Sequence, residues 1–418
     1  MLVMGMSSKK HQIPDIRFKG FTDAWEQRKL GDIADIKDSA RISNELWVEN
    51  GIPYLRSSDL VNGELNGELF ISKETYEGYA SKTGAPQKDD VLFTSGGKVG
   101  VVYHKKDESP VYVQGGAVLY VKTSTSNLLD GSFLSIYFGS PRMQTYMDIA
   151  SSGGTIKHFT LKPANASPII FPGLSEQQKI GAFFKELDKT IALHQRKLTL
   201  LKQLKQTYLQ ALFPQSELNI PTLRFARFSD SWEHRKVSSL AKETFGGGTP
   251  KTGVKKYWKG SFPWIQSSDL TTNQLHNVQP TKFITEEAIK QSATHNVPGN
   301  SIAIVTRVGV GKLALMRSSY STSQDFLSLS NLNVDAVFGV YCLYKMLQRE
   351  VNNIQGTSIK GITKADLLGK CVSVPTKVEE QVKIGAFFKK IDDTIDFHES
   401  KLKHILELKK AFLEKMFL

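Results

Sequence analysis

The sequence predicts an α+β protein: two pseudo-symmetric α/β modules separated by two long helices that form an antiparallel coiled coil. Three observations predict it. The phrase Pro14–Leu30 returns as Pro221–Val237, identical at more than half of its positions at an offset of 207 residues, close to half the chain. A duplication of that size has to be read before any local motif. Each copy contains short β-branched runs broken by glycines, the pattern of strands joined by tight turns. Each copy then ends in a long run with an apolar seam stepping alternately four and three residues.

The first seam is Ile180, Phe184, Leu187, Ile191, His194, Leu198, Leu201, Lys205, Tyr208 and Leu212; adding 204 gives Ile384, Phe388, Ile391, Ile395, His398, Leu402, Ile405, Lys409, Phe412 and Met416. The polar exceptions, a His and a Lys, fall at the same places in both copies. A 3.5-residue period marks a helix committed to another helix, and polar seam residues set register at a cost in stability. At 1.5 Å per residue such a helix spans roughly 57 Å. The two helices can satisfy each other by lying antiparallel, which puts the modules at opposite ends of a pseudo-twofold arrangement. In the simplest register His194 faces Leu402, Leu198 faces His398, Lys205 faces Ile391 and Leu187 faces Lys409.

Start and stop signals divide the chain. Ser175–Gln178 after Pro172, and Thr376–Glu379 after Pro375, have the Ser/Thr-x-x-Glu/Gln form of a capping box. Phe213-Pro214 stops the first helix, because proline cannot continue it. The predicted divisions are a first module at 11–174, a helix at 175–213, a linker at 214–220, a second module at 221–375 and a helix at 376–418. Inside the modules Ile52–Leu60 matches Phe262–Leu270, Val91–Tyr103 matches Ile302–Leu315, and Thr155–Lys157 matches Ser358–Lys360. A twisted, mostly antiparallel sheet is expected in each; its strand order is not readable.

At 418 residues the chain has room for two or three full-sized cores. Its net charge is +13, of which the helices from Glu176 and from Lys377 carry +4 and +1, leaving about +8 on the modules. A basic folded surface favours a polyanion, most commonly nucleic acid; solubility is the plainer reading. Two cysteines, Cys342 and Cys371, stand 29 residues apart without a paired motif, which argues against a disulfide framework or zinc finger. The opening residues are too few for a signal-peptide core and no run reaches the length of a membrane span, so the expected location is cytoplasmic.

Signatures of catalysis are missing from the pattern. Gly309–Lys312 lacks the length and the following Ser/Thr of a phosphate-cradling loop, Phe245–Gly248 opens no βαβ unit, and no Asn/Asp-Pro-Pro-aromatic tetrad or metal-ligand cluster is present. Binding candidates are clearer. The stretch Gly246–Gly260 mixes a glycine loop with lysines around Tyr257 and Trp258, so Gly247, Thr249, Lys251, Lys255, Lys256 and Tyr257 could meet phosphates, sugars or bases. The competing reading is a turn whose tryptophan anchors the core. Arg307 and Lys312 on a glycine-rich turn suit guanine or phosphate. Arg56, Ser57, Lys98, Lys157, Gln266, Ser267 and Lys360 are candidates by the same logic, a solvated surface charge being the alternative for each lysine and arginine.

The duplicated Trp-Glu-x-Arg-Lys opening, the Gly-Gly-Thr-Pro loop, Phe262–Trp264 and the Glu-Gln-x-x-Ile-Gly/Ala-x-Phe helix starts converge on one resemblance. Over nearly its whole length the chain resembles the DNA-specificity subunit of type I restriction–modification systems. The resemblance implies that each module is a target-recognition domain reading half of a split DNA site. It implies that the helices, through residues such as Ile180, Phe184, Leu187, Ile191, His194, Leu198, Ile384, Phe388, Ile391, Ile395, His398 and Leu402, form the spacer and dock two methyltransferase subunits, to which restriction subunits add. S-adenosylmethionine, ATP and Mg2+ would be used by those partners, with no catalysis and no cofactor in this chain. The first module departs from the pattern: Asp35–Ser39 stands where the second has Gly246–Thr249. Two other classes stay open on the sequence, a methyltransferase or nuclease with its own site and a coiled-coil adaptor between proteins.

Overall fold

The computed structural model describes residues 2–4, 13–61, 64–65, 67–154, 157–215, 219–353 and 361–417. The fold divides into two compact units, Met1–His194 with Lys401–Leu418, and Gln195–Ser400. The long helices, Leu174–Ala211 and Val378–Lys415, are each unbroken over 38 residues, so each contributes one half to each unit.

The first unit is built on the antiparallel sheet Val102–His104, Val91–Thr94, Val118–Val121, Ile36–Asp38, in that order. Val91–Thr94 and Val118–Val121 are buried throughout, as central strands covered on both faces must be. A smaller sheet places Tyr112–Val113 parallel to Ile52–Leu55, followed by Phe70–Ile71 and Trp47–Val48. The second unit repeats this plan: Ala241–Gly246, Phe326–Leu332, Ser301–Val305 and Leu313–Met316 form the larger sheet. Its smaller sheet sets Ser321–Thr322 parallel to Phe262–Ile265, with Lys282–Ile284 outside. The sheets are therefore mostly antiparallel, with one parallel pairing in each unit among the described residues.

The repeated opening phrase has a structural use in both units. Glu26–Lys29 pairs with Pro168–Phe171, and Glu233–Lys236 with Cys371–Val374, so each opening strand lies on the strand that leads into a long helix. Arg17 then grips Glu176 in the first helical turn, Nε–Oε1 at 2.8 Å and Nη2–Oε2 at 2.7 Å. Its twin Arg224 grips Glu380 at 2.7 and 2.8 Å. The neighbouring Gln177 accepts from the Asp130 N–H and donates to the Leu128 and Pro172 carbonyls; Gln381 accepts from the Asp335 N–H and donates to the Pro375 carbonyl. These anchors replace the expected capping boxes. The first helix already includes Leu174, which puts Ser175 inside its first turn, and the second begins at Val378, one residue beyond the position that would let Thr376 cap it. The lone glycine of each helix marks a close approach: a Cβ at Gly181 would lie 2.1 Å from the Ser132 Oγ, and one at Gly385 2.8 Å from the Phe338 nitrogen.

Within each unit the helix segments run antiparallel. In the first, Phe183 meets Phe412 at 5.1 Å between ring centres, and the Lys409 ammonium reaches Asp188 at 2.5 Å. In the second, Tyr208 meets Phe387 at 4.9 Å, Lys205 reaches Asp392 at 2.6 Å, and Lys202 reaches Glu399 at 2.7 Å. Asp392 follows Ile391 and Asp188 follows Leu187, so each seam lysine sits one residue from the expected facing position and ends on a carboxylate. Ile180, Phe184, Ile191, Leu198, Ile384, Phe388, Ile391, Ile395 and His398 are buried, while Leu187, His194 and Leu402 are half-buried. The last turn of each segment ends in an aromatic plug. Phe417 lies among Trp25, Phe133, Tyr137 and Phe184, and Phe213 among Trp232, Phe338 and Phe388, with ring centres 5.6–6.3 Å apart.

Candidate nucleic-acid interface

Two short stretches that match between the halves of the sequence meet in space in the first unit, and Lys157, the described residue of a third, lies beside them. The turn Ser57–Asp59 follows strand Ile52–Leu55, and the glycine hairpin after strand Val91–Thr94 lies against it: a Cβ at Gly97 would be 3.9 Å from the Ser57 Oγ. The residues that follow Lys157 join the hairpin: the Phe159 N–H donates to the Ser95 carbonyl at 2.7 Å, and His158 bridges to Gly96. Lys98 and Lys157 thereby line one shallow groove with Gly97, Gln144, Asp148 and Gly154. Lys98 is exposed at the hairpin tip; Lys157 bonds to the Asp148 carboxylate. Gln144 props the hairpin by donating to the Gly100 carbonyl at 2.9 Å.

The second unit repeats the arrangement with other side chains. The turn Ser267–Asp269 follows strand Phe262–Ile265, and Lys312 ties the glycine hairpin to it by donating to the Ser267 carbonyl at 3.0 Å. Gly309 and Gly311 hold φ of +92° and +98° in that hairpin, where a side chain would be strained. Arg307 and Val308 stand exposed at its tip, Val308 with 71% of its surface open. The Ile362 N–H donates to the Thr306 carbonyl at 2.8 Å; the matched stretch Ser358–Lys360 lies outside the described residues.

The Gly246–Gly260 stretch is different from its expected form. Gly248 donates its N–H to the Thr322 carbonyl, a Cβ at Gly247 would fall 1.7 Å from the Ser323 oxygen, and one at Gly248 2.2 Å from the Ala293 oxygen. Both glycines serve the packing of this loop on its own protein, so Gly247 and the Gly248 amide are not a phosphate cradle. Tyr257 is also a core residue: it is buried with Trp264, Ile284 and Ala288, and its hydroxyl donates to Gln291 at 2.8 Å. Trp264 donates to the Gly248 carbonyl and packs edge-on against Trp258 at 5.0 Å, so the tryptophans anchor the turn. Lys251 and Lys255 remain exposed; Lys256 is held at 2.5 Å by Glu287, whose carboxylate raises the lysine pKa. Thr249 bonds to Gln324 at 2.5 Å.

The family model described as "type I restriction modification DNA specificity domain" matches residues 22–203 and 229–407. The chain belongs to that family. Among curated relatives, the specificity subunit of the type I restriction enzyme MjaIX of Methanocaldococcus jannaschii is 30% identical over 182 residues, 42% of this chain and 41% of the relative. The EcoR124I/EcoR124II specificity subunit of Escherichia coli is 28% identical over 217 residues, 48% of this chain and 52% of the relative. The chain thus spans about half the length of the curated relatives it matches. Among solved structures, the S subunit of a type I restriction–modification system from M. genitalium aligns with a TM-score of 0.65 at 15% identity, over 97% of this chain and 99% of that one. A chain from a structure of type I complex assembly aligns at 0.53 with 16% identity, over 94% and 97%. These likenesses show that the specificity-domain fold extends over the whole chain.

Several residues of this specificity-domain chain escaped sequence reasoning. Asp59 and Asp269, which fasten the two turns, are repeated in Ser-Ser-Asp, but a carboxylate runs against the charge expected of an interface for a polyanion. Asp148 and Gln144 occupy a helix between matched stretches and carry no repeat signal. Lys282, whose ammonium lies 5.9 and 5.6 Å from the Trp258 and Trp264 ring centres, is visible only in three dimensions. Among the described residues no cluster of His, Cys, Asp and Glu could hold a metal ion, and no helix is long and apolar enough to cross a membrane.

Proposed function

We propose that this chain is the sequence-recognition subunit of a type I restriction–modification assembly, each module reading one half of a bipartite DNA site. The observation that carries the reading is the repeated site: the same turn and glycine hairpin lie together in both units, while the side chains on them differ (Arg56 against Gln266, Ser95 against Arg307). A common frame with divergent side chains is what two half-sites of different sequence require. Exposed Lys98, Lys251, Lys255 and Arg307 supply phosphate or base contacts. Two methyltransferase subunits dock on the helices, and restriction subunits join through them. Those partners bring S-adenosylmethionine, ATP and Mg2+, and catalysis is theirs.

Magnitudes favour assembly before tight binding. If each module alone binds DNA near 10⁻⁵ M, a tether with an effective concentration of about 1 mM gives about 10⁻⁷ M. Specific complexes reach about 10⁻⁸ M or better, so docked subunits have binding energy to add. The test is co-expression with the cognate methyltransferase subunit and mapping of modified adenines across the host genome. A split motif with a fixed gap is expected; an active complex that leaves no such motif overturns the proposal.

A further inference from the structure

The turns Ser57–Asp59 and Ser267–Asp269 share one backbone design. Asp59 donates its N–H to the Arg56 carbonyl at 3.0 Å while its carboxylate accepts from the Arg56 N–H at 2.8 Å; Asp269 and Gln266 repeat the two bonds at 2.9 Å each. What differs is the side chain at the first position. Arg56 lays its Nε and Nη2 on the two oxygens of Asp59, at 3.1 and 3.0 Å, and Asp59 is itself only 3% exposed. That contact uses one edge of the guanidinium and fixes its plane. The end of the fork, Nη1 with the second N–H of Nη2, is left as a pair of parallel donors on a side chain 36% exposed. Gln266 is oriented by a different prop: its Nε2 donates to the Thr281 Oγ1 at 3.3 Å, and Thr281 donates to Asp269 at 2.6 Å. Its amide keeps one N–H and its oxygen, a donor beside an acceptor.

A plainer role for Arg56 would be to neutralise Asp59. The second unit argues against that as a requirement, since the same turn forms there around Asp269 with an uncharged glutamine. Two parallel donors match the O6 and N7 acceptors of guanine in the major groove, whereas a donor beside an acceptor matches N7 and the N6 amine of adenine. Resting on the function proposed above, we infer that Arg56 and Gln266 are the specificity-determining residues at one equivalent base pair of each half-site, Arg56 reading guanine and Gln266 reading adenine.

The experiment uses the full chain co-expressed with its methyltransferase subunit, with modified adenines mapped for wild type, Arg56→Gln, Arg56→Lys and Gln266→Arg. Glutamine is already housed by this turn in the sibling module, so Arg56→Gln is expected to fold. It should exchange guanine for adenine at one position of the first half-site and leave the second half-site alone; Gln266→Arg should do the converse. Arg56→Lys, which keeps the charge and loses the fork, should relax that position by about 5- to 150-fold in preference. Should a variant complex modify too little DNA to map, competition with duplexes altered at each position in turn gives the same readout. Uniform weakening with an unchanged motif would make Arg56 a phosphate or structural residue and overturn the inference. A wild-type complex without any split motif would instead remove the functional reading on which the inference stands.

Discussion

The two helix-crossing lysines are twins in sequence and opposites in environment. Lys409 and Asp188 pair in the first unit with side chains 30% and 54% exposed; Lys205 and Asp392 pair in the second at 7% and 11%. Around the buried pair Tyr341 donates to the second oxygen of Asp392 at 2.7 Å, His276 meets the same tyrosine hydroxyl at 3.1 Å, and the Lys205 ammonium lies 5.6 and 5.5 Å from the Tyr341 and Tyr344 ring centres. By the spacing that matches Phe133 to Phe338, the first unit has Ile136 where the second has Tyr341. An isoleucine offers no donor to a carboxylate, and the Lys409–Asp188 pair of that unit is open to water. Duplicated seam residues therefore carry unequal energies, set by a module residue outside the repeat pattern.

That inequality predicts the largest effects. Asp392→Ala leaves a buried ammonium and a buried tyrosine hydroxyl without their acceptor, which should cost the second unit about 3–5 kcal/mol. Asp188→Ala, at a surface pair, should cost the first unit about 0–1 kcal/mol. Hydrogen exchange resolved by peptide measures the two units separately. Equal losses would mean that Tyr341 and His276 add nothing to the pair. Tyr341→Phe sharpens the comparison: it removes one hydrogen bond to a charged group and should fall between them, at about 1.5–3 kcal/mol.

The helices were legible because a 3.5-residue seam is a local, periodic property, and the twin lysines were legible as exceptions to it. Their partners were not, because Asp392 and Asp188 lie off the seam and become visible only once the register is set. The opening phrase is the converse case. Its repetition was plain, but Arg17 meets Glu176 across 159 residues and Arg224 meets Glu380 across 156, distances at which no spacing rule operates. Sheet order was hidden for the same reason, since Ile36–Asp38 pairs with Val118–Val121. At the candidate site the matched turn and glycine hairpin lie together in each unit, whereas Gly247 and Tyr257 serve the packing of their own module. A glycine that lets its own chain approach and one that admits a phosphate have the same composition, and only the neighbours distinguish them.

A further consequence of the difference is acid sensitivity that is greater in one unit. Burial, with Lys389, Arg317 and Lys205 nearby, holds His276 down at about 4 from its ordinary 6.5. Between those values the unfolded chain binds a proton that the folded unit refuses. Stability is thus whole above about pH 6.5 and declines as pH falls towards 4, by roughly 2–3 kcal/mol for such a shift. His104 in the first unit is also lowered by burial, but Asp89 at 3.4 Å opposes the shift. Exchange measured from pH 7 to 4.5 should show the second unit losing more. His276→Gln should flatten its slope over that window, and a slope that persists in the variant would assign the loss to carboxylates elsewhere.

The smallest expected effect concerns two lysines of one groove. Lys98 is exposed at its hairpin tip, whereas Lys157 already spends its ammonium on Asp148. A lysine that neutralises a phosphate releases a counterion, and its loss lowers the salt slope of DNA binding by roughly one. Lys98→Ala in the assembled complex should therefore reduce that slope by about one and weaken all sites alike. Lys157→Ala should reduce it by less, because the wild-type lysine must first leave a carboxylate and its removal sets that carboxylate free to repel the backbone. The double variant Lys157→Ala with Asp148→Ala separates these contributions: restored affinity relative to Lys157→Ala would show that the groove is tuned by the acid as well as by the base. If Lys98→Ala changes neither slope nor affinity while Arg307→Ala does, the two hairpins, alike in backbone, do not approach DNA in the same way.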